Sequence, residues 1–181
     1  LDRSANGAYG LTHHNKPHAK EHAMFKTTST LPEASRITLG QTLNARLQDG
    51  LDLHSQVKMA HWNVRGPQFL TLHPLFETLA TELLLQTDTL AERAVTLGVP
   101  ADATARTVAA QSRLAEYPRD VVRDVDHLRA IASRVDTWVA GLRQSRGVAE
   151  ELKDTDTVDL LTGMVSSWEK HAWFLSASQA G

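Results

Sequence analysis

The sequence predicts an all-α fold, a bundle of four long helices. Apolar residues recur at helical spacing in four separate stretches. Few segments alternate with the two-residue period of a strand. A connection of about twenty residues separates the first two stretches from the last two, which makes it a crossover and not a hairpin.

Residues 1–29 are rich in Asn, Gly, His, Thr and Lys without periodicity, and are expected to form a mobile tail preceding one domain over residues 30–178. Thr30-Leu31-Pro32-Glu33 reads as a capping box, with Pro tolerated in a first turn. From it runs the stripe Leu43, Leu47, Leu51, His54, Val57 and His61, ending at Gly66-Pro67. His54 lies on this core stripe and is expected to be a hydrogen-bonded core histidine. The second stripe, Leu72, Phe76, Leu79, Leu83, Leu90, Ala94 and Leu97, is stopped by Gly98 and Pro100. The crossover holds a helical patch at Thr104 to Gln111 and a turn at Tyr117-Pro118. Asp120 is the expected cap of the third helix, with Val125, Leu128, Ala132, Val135, Trp138 and Leu142 inward and Gly147 at its end. After a brief acidic stretch, Leu161, Met164, Val165, Trp168, Ala172 and Leu175 mark the fourth. Short first and third links around one long middle crossover describe a ferritin-like four-helix bundle with a short helix between helices 2 and 3.

At 181 residues the chain can bury one core without staples. Its formal charge of −2 gives no global field that would draw the whole molecule to nucleic acid or an anionic membrane. Absent cysteine excludes disulfides, thiolate metal sites and cysteine nucleophiles. No apolar run reaches the roughly 18 residues of a spanning helix, and Leu1-Asp2-Arg3-Ser4 lacks a signal-peptide core, so a cytoplasmic protein is expected. The chain does not begin with Met; Met24 offers a native start, which would make residues 1–23 foreign.

The chemistry concentrates in His61, His73, Glu77, Asp88 and Glu92. His73/Glu77 and Asp88/Glu92 are each four residues apart, so each pair shares a helix face and can aim two donor atoms at one point. Glu77 and Asp88, eleven residues apart, are separated by roughly 16 Å of helix axis, against metal–ligand bonds of about 2 Å. Either there are two incomplete sites, or a two-fold axis sets His61, His73 and Glu77 of one chain against Asp88 and Glu92 of another. Two imidazoles with three carboxylates suit iron, zinc or manganese and suit copper(I) or iron–sulfur clusters poorly. The paired Glu-x-x-His motifs of intrasubunit di-iron bundles are absent; Asp124-x-x-His127 is the nearest imitation and has no twin.

His61-Trp62-Asn63-Val64-Arg65-Gly66-Pro67, followed by Phe69, His73, Phe76, Asp88 and Ala91-Glu92-Arg93, resembles the Dps family of mini-ferritins. The likeness extends from Leu31 to about Ser176. It implies a homo-dodecameric cage that oxidises Fe(II) with hydrogen peroxide or dioxygen at two-fold interfaces, stores Fe(III) mineral and protects DNA. In family terms His61, His73 and Glu77 bind from one subunit and Asp88 and Glu92 from its partner. Position 77 is usually Asp in the family, and Glu77 is one methylene longer. The alternative is a DNA-compacting, nucleoid-associated cage whose metal site is structural or holds zinc.

Four further groups have a plain and a functional reading. Trp62 is either a packed aromatic at the dimer seam or a redox neighbour that gives electrons to oxidising equivalents. Lys58, one turn before His61, is either solvated or paired with a site carboxylate. Glu150, Glu151, Asp154, Asp156 and Asp159 either stabilise a helix N-terminus or, repeated around a three-fold axis, form a negative funnel for Fe(II); in the second case neutralising Asp154, Asp156 and Asp159 slows iron uptake and leaves assembly intact. In the tail, His14, His18 and His22 share a helical spacing that Pro17 opposes. With Lys16, Lys20 and Lys26 they form a solvated segment, or one that contacts metal or DNA.

Overall fold

The computed structural model describes residues 24–179. They form α1 (Glu33–Asn63), α2 (Phe69–Thr96), α3 (Ala105–Gln111), α4 (Asp124–Glu151) and α5 (Thr155–Ala177). The four long helices make the expected bundle: α1 packs against α2 and α4, α5 lies along α4, and the short α3 rests on α1. None of the described helices is long and apolar enough to cross a membrane. The core runs from Leu43, Leu53 and Val57 through Leu72, Phe76 and Leu83 to Leu128, Ile131 and Leu142. At its centre Trp138 and Trp168 meet edge to face, with centroids 6.2 Å apart. Burying each such large apolar side chain stabilises by about 1.5–3 kcal/mol.

One face of α1 is polar and at least half-buried for a reason. Asn44, Gln48, Asp52 and Gln56 recur every four residues and staple the crossover to the helix. Asn44 bonds the Pro100 carbonyl and the Asp102 amide, Gln48 bonds the Asp102 carbonyl, Asp52 accepts from Ser112, and Gln56 donates to the Ala115 carbonyl. The Asn44, Gln48 and Gln56 bonds satisfy backbone groups of the long loop, and Asp52 holds it through the Ser112 hydroxyl. α3 starts where expected, with the Thr104 hydroxyl accepting from the Thr107 amide.

Several helix ends depart from the sequence expectation. No capping box forms at Thr30, because α1 begins after Pro32 without a side-chain cap. Residues 25–29 instead lie along the end of α2: the Phe25 amide donates to the Gly98 carbonyl, the Thr27 hydroxyl to the Thr96 carbonyl, and Ser29 takes the Leu31 amide. The expected boundary at Thr30 thus falls inside a segment already held to the bundle. Asp120 caps nothing; α4 starts four residues later. Gly147 does not end α4, which continues to Glu151 and turns at Lys153, a non-glycine residue with φ 59°. Glu150 and Glu151 therefore close α4 and do not open α5.

Candidate metal centre

His61 lies in the last turn of α1 and His73 in the second turn of α2, joined by the short link through Gly66. Gly66 has φ 141° and lies against the Asp124 carboxylate, so a side chain there would be strained. Asp124 accepts from the Gln68 amide at 2.7 Å, and its own amide donates to the Arg65 carbonyl at 2.9 Å. The sequence offered Asp124-x-x-His127 as a failed metal motif; the buried Asp124 is instead a clip that fixes the angle between the two histidine-bearing helices.

The two imidazoles stack with centroids 3.8 Å apart and are held reciprocally. His61 Nδ1 lies 2.9 Å from the His73 carbonyl, and His73 Nδ1 lies 2.9 Å from the His61 carbonyl. A carbonyl oxygen only accepts, so each Nδ1 carries a proton, and the tautomer this selects for a neutral ring has its lone pair on Nε2. The His61 carbonyl is also one of the orphaned acceptors at the end of α1, so His73 caps that helix while its ring is oriented. Glu77, one turn after His73, brings Oε2 to 3.3 Å from His61 Nε2. Lys58 Nζ meets the same oxygen at 2.5 Å. That hydrogen bond, helped by the Lys58 charge, holds the Glu77 carboxyl below the usual carboxylate range. Oriented imidazole nitrogens beside an ionised carboxylate are the donor set a divalent first-row metal takes.

Asp88 and Glu92 are exposed further along the unbroken α2. Among the described residues no three histidine or carboxylate side chains of one chain converge into a metal site. The structure sets His61 against both the His73 ring and the Glu77 carboxylate, short of a complete site within one chain, and leaves Asp88 and Glu92 further along α2.

Other expected residues fall as follows. Trp62 is 66% exposed, with Lys58 Nζ 5.8 Å from its ring centre. His54 is half-buried and makes no hydrogen bond among the described residues, contrary to expectation; burial and Lys58 lower its proton affinity. Asp154 is buried and accepts two hydrogen bonds from Arg93 at 2.8 Å and one from Thr157 at 2.5 Å, tying the start of α5 to the end of α2. It is a clamp, while Asp156 and Asp159 remain exposed. His14, His18, His22, Lys16 and Lys20 lie outside the described residues, and Lys26 is exposed.

Glu82 was not anticipated. It lines the same groove as His61, His73 and Glu77, but its carboxylate is engaged by Ser167 and by Gln86 at 2.7 Å on one oxygen and by His171 at 2.6 Å on the other. The sequence signal was the pairing of Glu82 and Gln86, one turn apart, with Trp168 and His171 on α5; Gln86 also accepts from the Trp168 indole at 2.7 Å.

A ferritin-like domain profile matches residues 40–179. The chain is 36% identical over 152 residues to a DNA protection during starvation protein of Agrobacterium fabrum, covering 84% of this chain and 94% of that one. It is 33% identical over 137 residues to DNA protection during starvation protein 2 of Bacillus anthracis, covering 76% and 93%. Among solved structures, DpsC from Streptomyces coelicolor superposes with a TM-score of 0.83 at 29% identity, covering 88% of this chain and 93% of that one.

Proposed function

The chain belongs to the Dps family of ferritin-like proteins, and from that premise we propose that it is an iron-storing ferroxidase whose active site is completed by a second subunit. One observation supports this reading above the others: the reciprocal imidazole–carbonyl bonds commit both Nδ1 atoms, so that neither ring's Nε2 is spent on the backbone, and His61 Nε2 lies 3.3 Å from the Glu77 carboxylate. His61, His73 and Glu77 hold the substrate Fe(II) from one side, and Asp88 and Glu92 of a symmetry-related copy supply the anionic remainder. Hydrogen peroxide or dioxygen takes the electrons, and Fe(III) is stored as mineral inside a dodecameric cage. Lys58 is the occupant that Fe(II) must displace from Glu77, since both are cations competing for one oxygen. Asp156 and Asp159 remain the candidates for guiding Fe(II) inward. Consuming peroxide and Fe(II) together withholds hydroxyl radicals from DNA, which accords with a cytoplasmic, nucleoid-protecting role.

Mixing the metal-free protein with Fe(II) and peroxide and following Fe(III) absorbance tests the proposal. The expected result is oxidation much faster than in buffer, lost on His73→Ala; a rate equal to buffer with the fold intact defeats it. The second reading, a DNA-compacting cage with a structural or zinc-filled site, is favoured only by the names of the relatives. A gel shift comparing the full chain with one lacking residues 1–29 tests it, and absent or equal binding removes the tail from the argument.

A further inference from the structure

Tyr117 and His127 form a pair that the metal centre does not use. The Tyr117 hydroxyl lies 2.5 Å from His127 Nδ1, and the rings are nearly parallel, 19° apart. His127 is buried, and burial disfavours its charged form. With a phenol donating to Nδ1, the ring proton of the neutral imidazole resides on Nε2. That nitrogen is buried with no hydrogen-bond partner among the described residues, although the nearby Asn63 backbone favours the protonated ring. Partial burial pushes the Tyr117 phenol up to about 12, which keeps its proton on oxygen at rest.

The position of the pair matters as much as its chemistry. Asn63 closes α1 two residues after His61 and one after Trp62. Met59, Asn63, Tyr117 and His127 line one groove between α1 and the crossover. The pair thus adjoins the helical turn that carries the first candidate ligand.

We infer that Tyr117 is a redox relay, giving one electron to oxidising equivalents that escape the metal centre while its phenolic proton passes to His127 Nδ1. The inference rests on the ferroxidase reading. An ionised phenol radical is a strong acid, so a hydrogen-bonded base that takes the proton as the electron leaves avoids a high-energy cation. Trp62, exposed and without such a base, is the outer donor, and Tyr117 is where the electron vacancy comes to rest. The step balances. A hydroxyl radical accepts the electron and becomes hydroxide, leaving a neutral tyrosyl radical and a protonated His127. A further Fe(II) returns an electron to Tyr117 and becomes Fe(III), and the proton goes back from Nδ1 to the phenolic oxygen. The net result is one hydroxyl radical reduced and one Fe(II) oxidised, with no side chain consumed.

The chain contains two tyrosines, Tyr9 and Tyr117, so Tyr9→Phe leaves Tyr117 as its sole phenol. The full-length Tyr9→Phe protein, loaded with Fe(II), mixed with peroxide and freeze-quenched, is expected to show a tyrosyl signal by electron paramagnetic resonance. In deuterium oxide that signal should reveal an exchangeable coupling from the proton held on His127, a readout that needs no change at His127. Adding Tyr117→Phe should abolish the tyrosyl signal and enlarge the tryptophanyl one. Adding His127→Gln, with helix content and native mass unchanged, should lower the tyrosyl yield several-fold. Normal Fe(III) formation without a tyrosyl signal in Tyr9→Phe overturns the relay, as does an unchanged yield in His127→Gln or the absence of an exchangeable coupling. If no Fe(III) forms, the ferroxidase reading has failed; a photogenerated ruthenium(III) oxidant applied to the iron-free protein then decides the relay by the same signal.

Discussion

His61 and His73 show how a histidine becomes a candidate ligand only through its second nitrogen. Each ring spends Nδ1 on the other residue's carbonyl, which fixes the tautomer and the direction of Nε2 before any cation arrives. Two other described histidines lack this arrangement: His171 Nε2 is engaged by Glu82 and His127 Nδ1 by Tyr117. The Tyr117 phenol yields a prediction at this scale. Burial raises its affinity for the proton to about 12 in the folded chain, against about 10 for a free tyrosine. A group whose folded pKa is raised contributes stability that is complete below the unfolded value and is lost as pH rises through the folded one. In Tyr9→Phe protein the phenolate absorbance should therefore appear near pH 12, and unfolding should become easier above roughly pH 10. Tyr117→Phe should remove that alkaline loss. A phenol titrating near 10 in the folded protein would mean that burial has no hold on Tyr117.

Helix ends separate what the sequence reveals from what it conceals. α2 ends in a Schellman turn, with the Gly98 amide donating to the Val95 carbonyl and the Val99 amide to the Ala94 carbonyl, and Gly98 at φ 86° announces it. α4 ends in the same turn, with Lys153 donating to Glu150 and Asp154 to Ala149, but Lys153 occupies the left-handed position where glycine is usual. Gly147, which suggested the stop, sits in the helix with open space around it. The apolar stripes and the ligand spacing were legible because they depend on residues three and four apart. The Asn44-Gln48-Asp52-Gln56 row and the Asp124 clip were not, because each binds a loop about 55–60 residues away in sequence. The strain at Lys153 is offset by Asp154, whose bonds to Arg93 and Thr157 hold α5 in place. Lys153→Gly should accordingly stabilise the protein by about 1 kcal/mol. Asp154→Asn, which leaves the partly buried Arg93 with only the exposed Asp156 carboxylate at 4.0 Å, should cost about 3 kcal/mol. Denaturant unfolding midpoints check both, and an unmoved midpoint for Asp154→Asn would return that residue to the candidate funnel with Asp156 and Asp159.

In the whole molecule, the face of α2 that carries Glu77 also exposes Leu85, which is 67% accessible and lines the groove beside His61, His73 and Glu77. An apolar side chain beside half a ligand set is what a surface completed by another copy presents. Because α2 is one unbroken helix, Glu77 and Asp88 stay roughly 16 Å apart along its axis, and rearrangement within one chain cannot unite them without breaking that helix. Subunit mixing turns this into a measurement. A chain carrying His61→Ala and His73→Ala and a chain carrying Asp88→Asn and Glu92→Gln should each fail to oxidise Fe(II) alone. When the two are dissociated and reassembled together, every mixed two-fold interface contains one site with both halves damaged and one with both halves intact. Random pairing makes half of the interfaces mixed, so about one quarter of the unmodified activity should return. If each chain holds its ligands separately, mixing restores nothing, because no combination repairs a site inside one subunit. Recovery would thus establish that the pairs His73/Glu77 and Asp88/Glu92 belong to one centre, and that this centre exists only where two chains meet.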